Sequence, residues 1–259
     1  MSSLTKLSRS VENLVTFVTG AGSGMGKATA KVFADAGAKV IVSDINQESV
    51  DKVSREIQKA KGACLGQVLD ITKNNEINKV LKKVIKEYGR LDHLINNAGI
   101  SIPIPIDDEN YEESWQKIFD VLLTGQVNLI RSALPFLLKS ENPRIVNIAS
   151  TEGLGATPRN SPYTAAKHGV IGLTRSLATE LGSKGITVNC ICPGPIRTAM
   201  TEAIPEEDKQ KYSYRRVPMQ RYGDPEEVAH VTLSLCLPAS SFINGVALPV
   251  DGGLSIKRG

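Results

Sequence analysis

Short runs of β-branched residues alternate along the chain with longer stretches whose apolar residues return every three or four positions. The strand-like runs are 14–19, 39–43, 64–69, 93–95, 144–149, 186–191 and 246–250. The helix-like stretches are 24–36, 47–60, 74–88, 111–138, 162–181 and 226–235. Gly37, Gly89 and Gly182 stand just past three of them, where a glycine can end a helix. Residues 193–224 are rich in Pro, Arg and Tyr, show neither period, and are expected to be irregular. Strand and helix in succession predict βαβ units, hence an α/β fold with a parallel sheet covered by helices on both faces. No linker or low-complexity segment interrupts the pattern, so a single domain is expected over residues 1–259.

The first strand and first helix are joined by Thr19-Gly20-Ala21-Gly22-Ser23-Gly24-Met25-Gly26. Glycines let this turn bend sharply and approach a pyrophosphate, while the helix N-terminus offers free N–H groups and a positive dipole end. Asp44 ends the second strand, 18 residues beyond Gly26. A carboxylate there accepts hydrogen bonds from a ribose diol and repels a 2′-phosphate, and the loop itself holds no Lys or Arg. NAD is therefore expected rather than NADP. Asp70, followed by Ile71, stands after the third strand, either to meet an adenine or to cap the next helix.

Tyr163 and Lys167 are four apart on a predicted helix and share one face. Ser150 ends the strand before it. A neighbouring ammonium and a bound nicotinamide cation are expected to lower the phenol pKa from its usual value near 10. The phenol would then exchange a proton with a substrate oxygen that Ser150 holds by a hydrogen bond.

Composition narrows the partners. Lys plus Arg number 31 and Asp plus Glu 27, a net charge of +4, too small to call for nucleic acid or a membrane surface. Residues 1–12 are polar, and no apolar run approaches the length of a membrane span. The four cysteines, Cys64, Cys190, Cys192 and Cys236, form no CxxC pair and read as buried free thiols rather than a metal or redox site. A cytoplasmic compartment fits that usage.

The glycine run 19–26, Asn96-Asn97-Ala98-Gly99, Ser150, Tyr163-x-x-x-Lys167 and Pro193-Gly194 come in the order found in the short-chain dehydrogenase/reductase family, which the chain resembles from about Val11 to Gly253. The resemblance implies a Rossmann-type, doubly wound, seven-stranded sheet in three αβα layers. It implies Tyr163 as acid/base, Lys167 on the nicotinamide ribose and Ser150 as the substrate-orienting hydroxyl. Gly20, Ser23, Gly24, Met25, Gly26, Asp44, Asp70, Ile71, Asn97, Ala98 and Gly99 would line the cofactor. Pro193, Gly194, Ile196 and Thr198 would meet its carboxamide end. It further implies a homotetramer or homodimer, with Ala165, Gly169 and Gly172 allowing close helix packing. One position departs from the pattern. The family has Asn where this chain has Leu122, and that residue's backbone carbonyl is implied to hold a water linked to the lysine. Leu keeps the carbonyl and loses the amide, and Gln126 is the amide one turn along.

Substrate contacts are expected from residues 101–106, 152–154 and a lid at about 199–222. The arginines Arg215 and Arg216 are expected to be solvated or paired with Glu206 and Glu207. The reading favoured is an NAD-dependent oxidoreductase acting on a secondary alcohol or ketone. A 3-oxoacyl-carrier-protein reductase is the alternative. Enzymes of that kind dock their acidic carrier through two arginines, and the matching positions here hold Glu141 and Lys184. A cofactor-binding regulatory or scaffold protein is the alternative of another class.

Overall fold

The computed structural model describes residues 6–257; the polar stretch 1–5 lies outside the described residues. Seven parallel strands are ordered β3-β2-β1-β4-β5-β6-β7. They are β1 Val15–Thr19, β2 Lys39–Asp44, β3 Cys64–Val68, β4 His93–Asn96, β5 Arg144–Ile148, β6 Thr187–Pro193 and β7 Ala247–Val250. The order reverses direction between β1 and β4, so a crevice opens at the carboxyl ends of those two strands.

Alternate residues of each strand face opposite layers, which is why the runs read as continuously apolar. Phe17, Leu94, Ile145 and Val188 pack on one side against α3 (Asn74–Tyr88), α5 (Gly125–Leu137) and α6 (Ser161–Leu181). Val18, Val42, Ile95, Val146 and Ile191 pack on the other against α1 (Gly24–Asp35), α2 (Gln47–Lys59) and α9 (Pro225–Cys236).

Two expectations are corrected and a third is refined. The stretch 111–138 is not one helix. It divides into α4 (Tyr111–Phe119) and α5, joined by a π-helical turn, Asp120–Thr124, in which Gly125 N–H reaches back to the Asp120 carbonyl. The helix expected to stop at Gly182 does so, but the left-handed glycine that turns the chain is Gly185, with φ 82°, after a 3₁₀ turn. The segment 193–224 is not irregular throughout, because it contains α7 (Ala199–Glu202) and α8 (Glu206–Arg216). Glu206, Glu207 and Asp208 in the first turn of α8 and Arg215 and Arg216 in its last complement the helix dipole.

The amino ends of the strands carry a buried polar network. Asp92 accepts the Val15 N–H at 2.8 Å and a two-pronged contact from Arg90. Beside it, His93 is fully buried. Its Nε2 accepts from the Asn142 amide at 3.4 Å, which leaves Nδ1–H to donate to the Thr16 hydroxyl at 2.9 Å. Burial, only partly offset by the Asp92 charge, pushes its pKa down to about 3.

The fold therefore refuses a proton that the unfolded chain accepts below about pH 6.5. Stability from this group is complete above that pH and is lost as pH falls towards 3. Between about pH 7.5 and 5.5 the wild type should lose about 1 kcal/mol more unfolding free energy in urea than His93→Asn, and equal losses would disprove the assignment.

Candidate active site

The glycine turn is fixed from behind by the loop after β4. The Thr19 hydroxyl accepts from the backbone N–H groups of Asn97 and Ala98, each at 3.0 Å, and donates to the Ile95 carbonyl. The Asn97 amide returns bonds to the carbonyls of Thr19 at 2.8 Å and Gly20 at 3.2 Å. At Gly26 a Cβ would lie 2.1 Å from the Gly20 carbonyl oxygen, so a side chain cannot be accommodated there. Asp44 accepts the N–H of Gly22 at 3.0 Å and that of Asn46 at 3.0 Å. It does not cap α2, a task that falls to Asn46.

Two adjoining cavities follow this turn. One, of about 160 Å³, is walled by Asp44, Ile45, Leu69, Asp70, Ile71 and Val121. Asp70 faces it and also accepts two bonds from Thr72, so the adenine-side and turn-forming readings of Asp70 are compatible. The other, of about 340 Å³, is walled by Gly20, Ser23, Gly24, Met25, Asn97, Ala98, Gly99, Tyr163, Lys167 and Thr198. Asp44, Leu122 and the lid residues Ala199 and Met200 also line it, with Ile100, Ile148 and Ala149, which the sequence did not mark as site residues.

Pro193, Gly194 and Ile196 are absent from these walls, as are Gly26 and Ser150. Ile196 is buried in the core layer with Val228, and a Cβ on Gly194 would meet Asp251 at 2.8 Å. What they do is steer the chain from β6 into Thr198, whose side chain does reach the cavity. Gly169 also departs from expectation. Its missing side chain makes room for Leu123 of the same chain, whereas Gly172 is open to solvent. Arg215 and Arg216 do not pair with Glu206 and Glu207, which bond Arg197 and Lys211 instead.

Lys167 is almost wholly buried. Its ammonium donates to the Ile148 carbonyl at 2.7 Å and lies 5.5 Å from the Tyr163 ring centroid. Burial lowers its pKa to about 8. Tyr163 keeps part of its ring open to the cavity, but burial of the phenol pushes its pKa above the usual value. The nearby Ser150 hydroxyl works in the opposite direction, and the Glu152 charge adds to the rise. The expected acidification by the lysine is thus not what this arrangement does by itself, because desolvation dominates.

The arrangement can bind a dinucleotide and exchange one proton at the Tyr163 oxygen. A family profile described as enoyl-(acyl carrier protein) reductase matches residues 20–255. The chain belongs to the short-chain dehydrogenase/reductase family. It is 40% identical over 246 residues to a 3-oxoacyl-[acyl-carrier-protein] reductase of Thermotoga maritima, spanning 95% of this chain and 99% of that one. It is 38% identical to meso-2,3-butanediol dehydrogenase of Serratia marcescens, over 96% of this chain and 97% of that one. The crystal structure of gox2181 superposes with a TM-score of 0.91 at 29% identity, covering 96% of this chain and 98% of that one.

Leu122, the position that departs from the family pattern, is fully buried among Ile118, Ala166, Ile100 and Tyr163. It touches the back of Gly99, where an added Cβ would lie 3.1 Å from its Cδ2. Gln126 is buried one turn on but does not reach the cavity wall. An amide at 122 would lose apolar packing and find no partner in this nest. Leu122→Asn should lower stability by about 2–4 kcal/mol while turnover of the surviving folded enzyme changes less than about tenfold. Thermal melts and kcat measured together check this, and a gain in kcat above about tenfold would reverse it.

Proposed function

We propose that this enzyme is an NAD-dependent oxidoreductase that interconverts a secondary alcohol and a ketone. The observation that carries the cofactor choice is Asp44: its carboxylate is bonded to the Gly22 N–H at the mouth of the loop, where a 2′-phosphate would meet uncompensated negative charge. The glycine turn, with no room for a Cβ at Gly26, and the two cavities fit a dinucleotide. The nicotinamide, when bound, supplies or accepts the hydride.

The chain's own residues do the rest. Ser150, almost wholly buried at the end of β5, donates a hydrogen bond to the substrate oxygen. Tyr163 gives that oxygen a proton in reduction and takes it back in oxidation. Lys167 holds its ammonium between the Ile148 carbonyl and the phenol ring, where it meets the nicotinamide ribose. Leu122, Ile100 and Met200 exclude water from the same space. Residues 199–222 act as the substrate lid. A homodimer or homotetramer in the cytoplasm, where free cysteines stay reduced, completes the reading.

The Thermotoga maritima relative supports a second reading, reduction of a 3-oxoacyl thioester. At the positions where such enzymes are implied to carry docking arginines this chain has Glu141 and Lys184, both exposed at the amino ends of β5 and β6, and a carboxylate facing an acidic carrier favours the first reading. Turnover of acetoacetyl-CoA and of diacetyl, each with NADH and with NADPH, separates the two readings by nicotinamide absorbance.

Two variants test the assignments. Tyr163→Phe should abolish turnover of whichever ketone is accepted and leave NADH affinity within a few-fold; near-normal turnover would remove Tyr163 from the chemistry. The wild type should prefer NADH over NADPH in kcat/KM, and Asp44→Ala should erode that preference by about 1.5–3 kcal/mol as the ribose bonds are lost. A wild-type preference for NADPH would refute the role given to Asp44.

A further inference from the structure

Ser150 accepts the N–H of Glu152 at 3.1 Å, so the two residues share one 3₁₀ turn. The Glu152 carboxylate then reaches across to three donors. Oε2 accepts from the Thr157 N–H at 3.0 Å and from the Thr164 hydroxyl at 2.7 Å, and Oε1 accepts from the Thr157 hydroxyl at 2.5 Å. All three donors are neutral. Among the described residues no cation bonds the carboxylate, which lies against the first turn of α6 and is bonded to the residue that follows Tyr163. A helix N-terminus is a favourable place for an anion, which explains why the charge can sit there without a cation.

We propose that Glu152 is a positioning residue: its carboxylate fastens the loop 151–160 to α6 and sets a negative charge against the first turn of that helix, where Tyr163 stands. This rests on the role given to Tyr163 above. The other groups around the phenol are few. On its own helix stands Lys167, held by the Ile148 carbonyl, with Cys190 and Cys192 of β6 beside it. From α4 and the π-helical turn come Ile118 and Leu122, which are apolar. On α8, burial raises the pKa of Tyr212, Arg215 and Arg216 act against the rise, and Glu152 adds to it, as it does at Tyr163. Glu152 is thus the anion that both tyrosines feel. Alcohol oxidation needs the phenolate, so Glu152 moves the onset of oxidation to higher pH and leaves reduction, which needs the phenol, untouched over a wider range.

The test reads the phenol directly. Tyrosines are replaced throughout by 3,5-difluorotyrosine, which lowers phenol pKa values towards neutrality, and the ¹⁹F resonance lost in Tyr163→Phe is that of residue 163. In Glu152→Gln, which keeps the shape and can still bond both threonines, its titration midpoint should fall by about half a pH unit or more. Thr157→Val, which loosens the loop and leaves the charge, should hold the midpoint within about 0.2 unit while raising KM. If the Gln variant does not fold, Thr157→Lys brings an ammonium to the same carboxylate and should lower the midpoint likewise. A midpoint unchanged on neutralising the charge, or moved equally by Thr157→Val, overturns the proposal. Normal turnover by Tyr163→Phe would instead overturn the role of Tyr163, and the midpoint does not depend on that result.

Discussion

The bond set between Thr19 and Asn97 is the constraint on which the rest of the site depends. A glycine turn is soft, and Gly20 at φ 62° leaves its carbonyl directed away from the sheet ladder. The Asn97 amide takes up that carbonyl and the one before it, while the Thr19 hydroxyl takes up the two N–H groups at the end of β4. Four backbone groups that would otherwise be orphaned at the strand ends are thereby satisfied. The turn and the β4 loop become one rigid unit across the crevice. That rigidity is what brings Gly26 against the Gly20 carbonyl and aims the α1 N-terminus at the cavity.

Opposite this unit stands a pair of groups whose burial works against charge on both. Lys167 is pushed down to about 8 and Tyr163 is pushed up, each because its ionised form is poorly solvated. The lysine is nevertheless held, since β5 ends at Ile148 and leaves that carbonyl free to accept. The wall made by Leu122 contributes to the same effect by keeping the phenol out of water. Two residues read from spacing as an acidifying pair are, in the folded chain alone, each shifted by burial towards the neutral form, the lysine only to about 8.

Most of the fold was legible because the apolar period carries it. Asn74–Tyr88 matches its expected bounds, and the strands differ by a residue or two at their ends. The π-helical turn was not legible: one extra residue in a turn leaves Ile118, Leu122 and Leu129 all facing inward, so the period survives the break. Helix α8 was missed for the opposite reason. It buries only Lys209 and Ser213, so it has no apolar stripe, and the acidic start and basic end were its only signals. In the site, residues whose backbone matters (the glycines, Asn97, Ala98) were legible from spacing. For Ile196, sequence order gives its distance from Pro193 and not the layer its side chain enters, which is the core. Glu152 was marked only as the start of a substrate stretch, since its partners Thr157 and Thr164 are joined to it by a loop with no period.

The same limit applies to charge. Glu141 and Lys184 lie between a helix and a strand in the chain, as do Ser23 and Glu152, and only the order of the two elements separates the groups. In a parallel sheet the separation is absolute. Every strand-to-helix loop emerges at the carboxyl end, and every helix-to-strand loop at the amino end. Ser23 and Glu152 follow strands and reach the cavity region; Glu141 and Lys184 precede strands and share the far end with Arg90, Asp92 and His93. That far end holds an ion pair and a neutral imidazole locked among hydrogen bonds, beside the buried Arg144 Nε and Thr187 Oγ1, which have no partner. A charged residue in this chain can therefore face the crevice only from the end of a strand or the loop that follows it, and Glu152 and Asp44 stand at such positions while Glu141 does not.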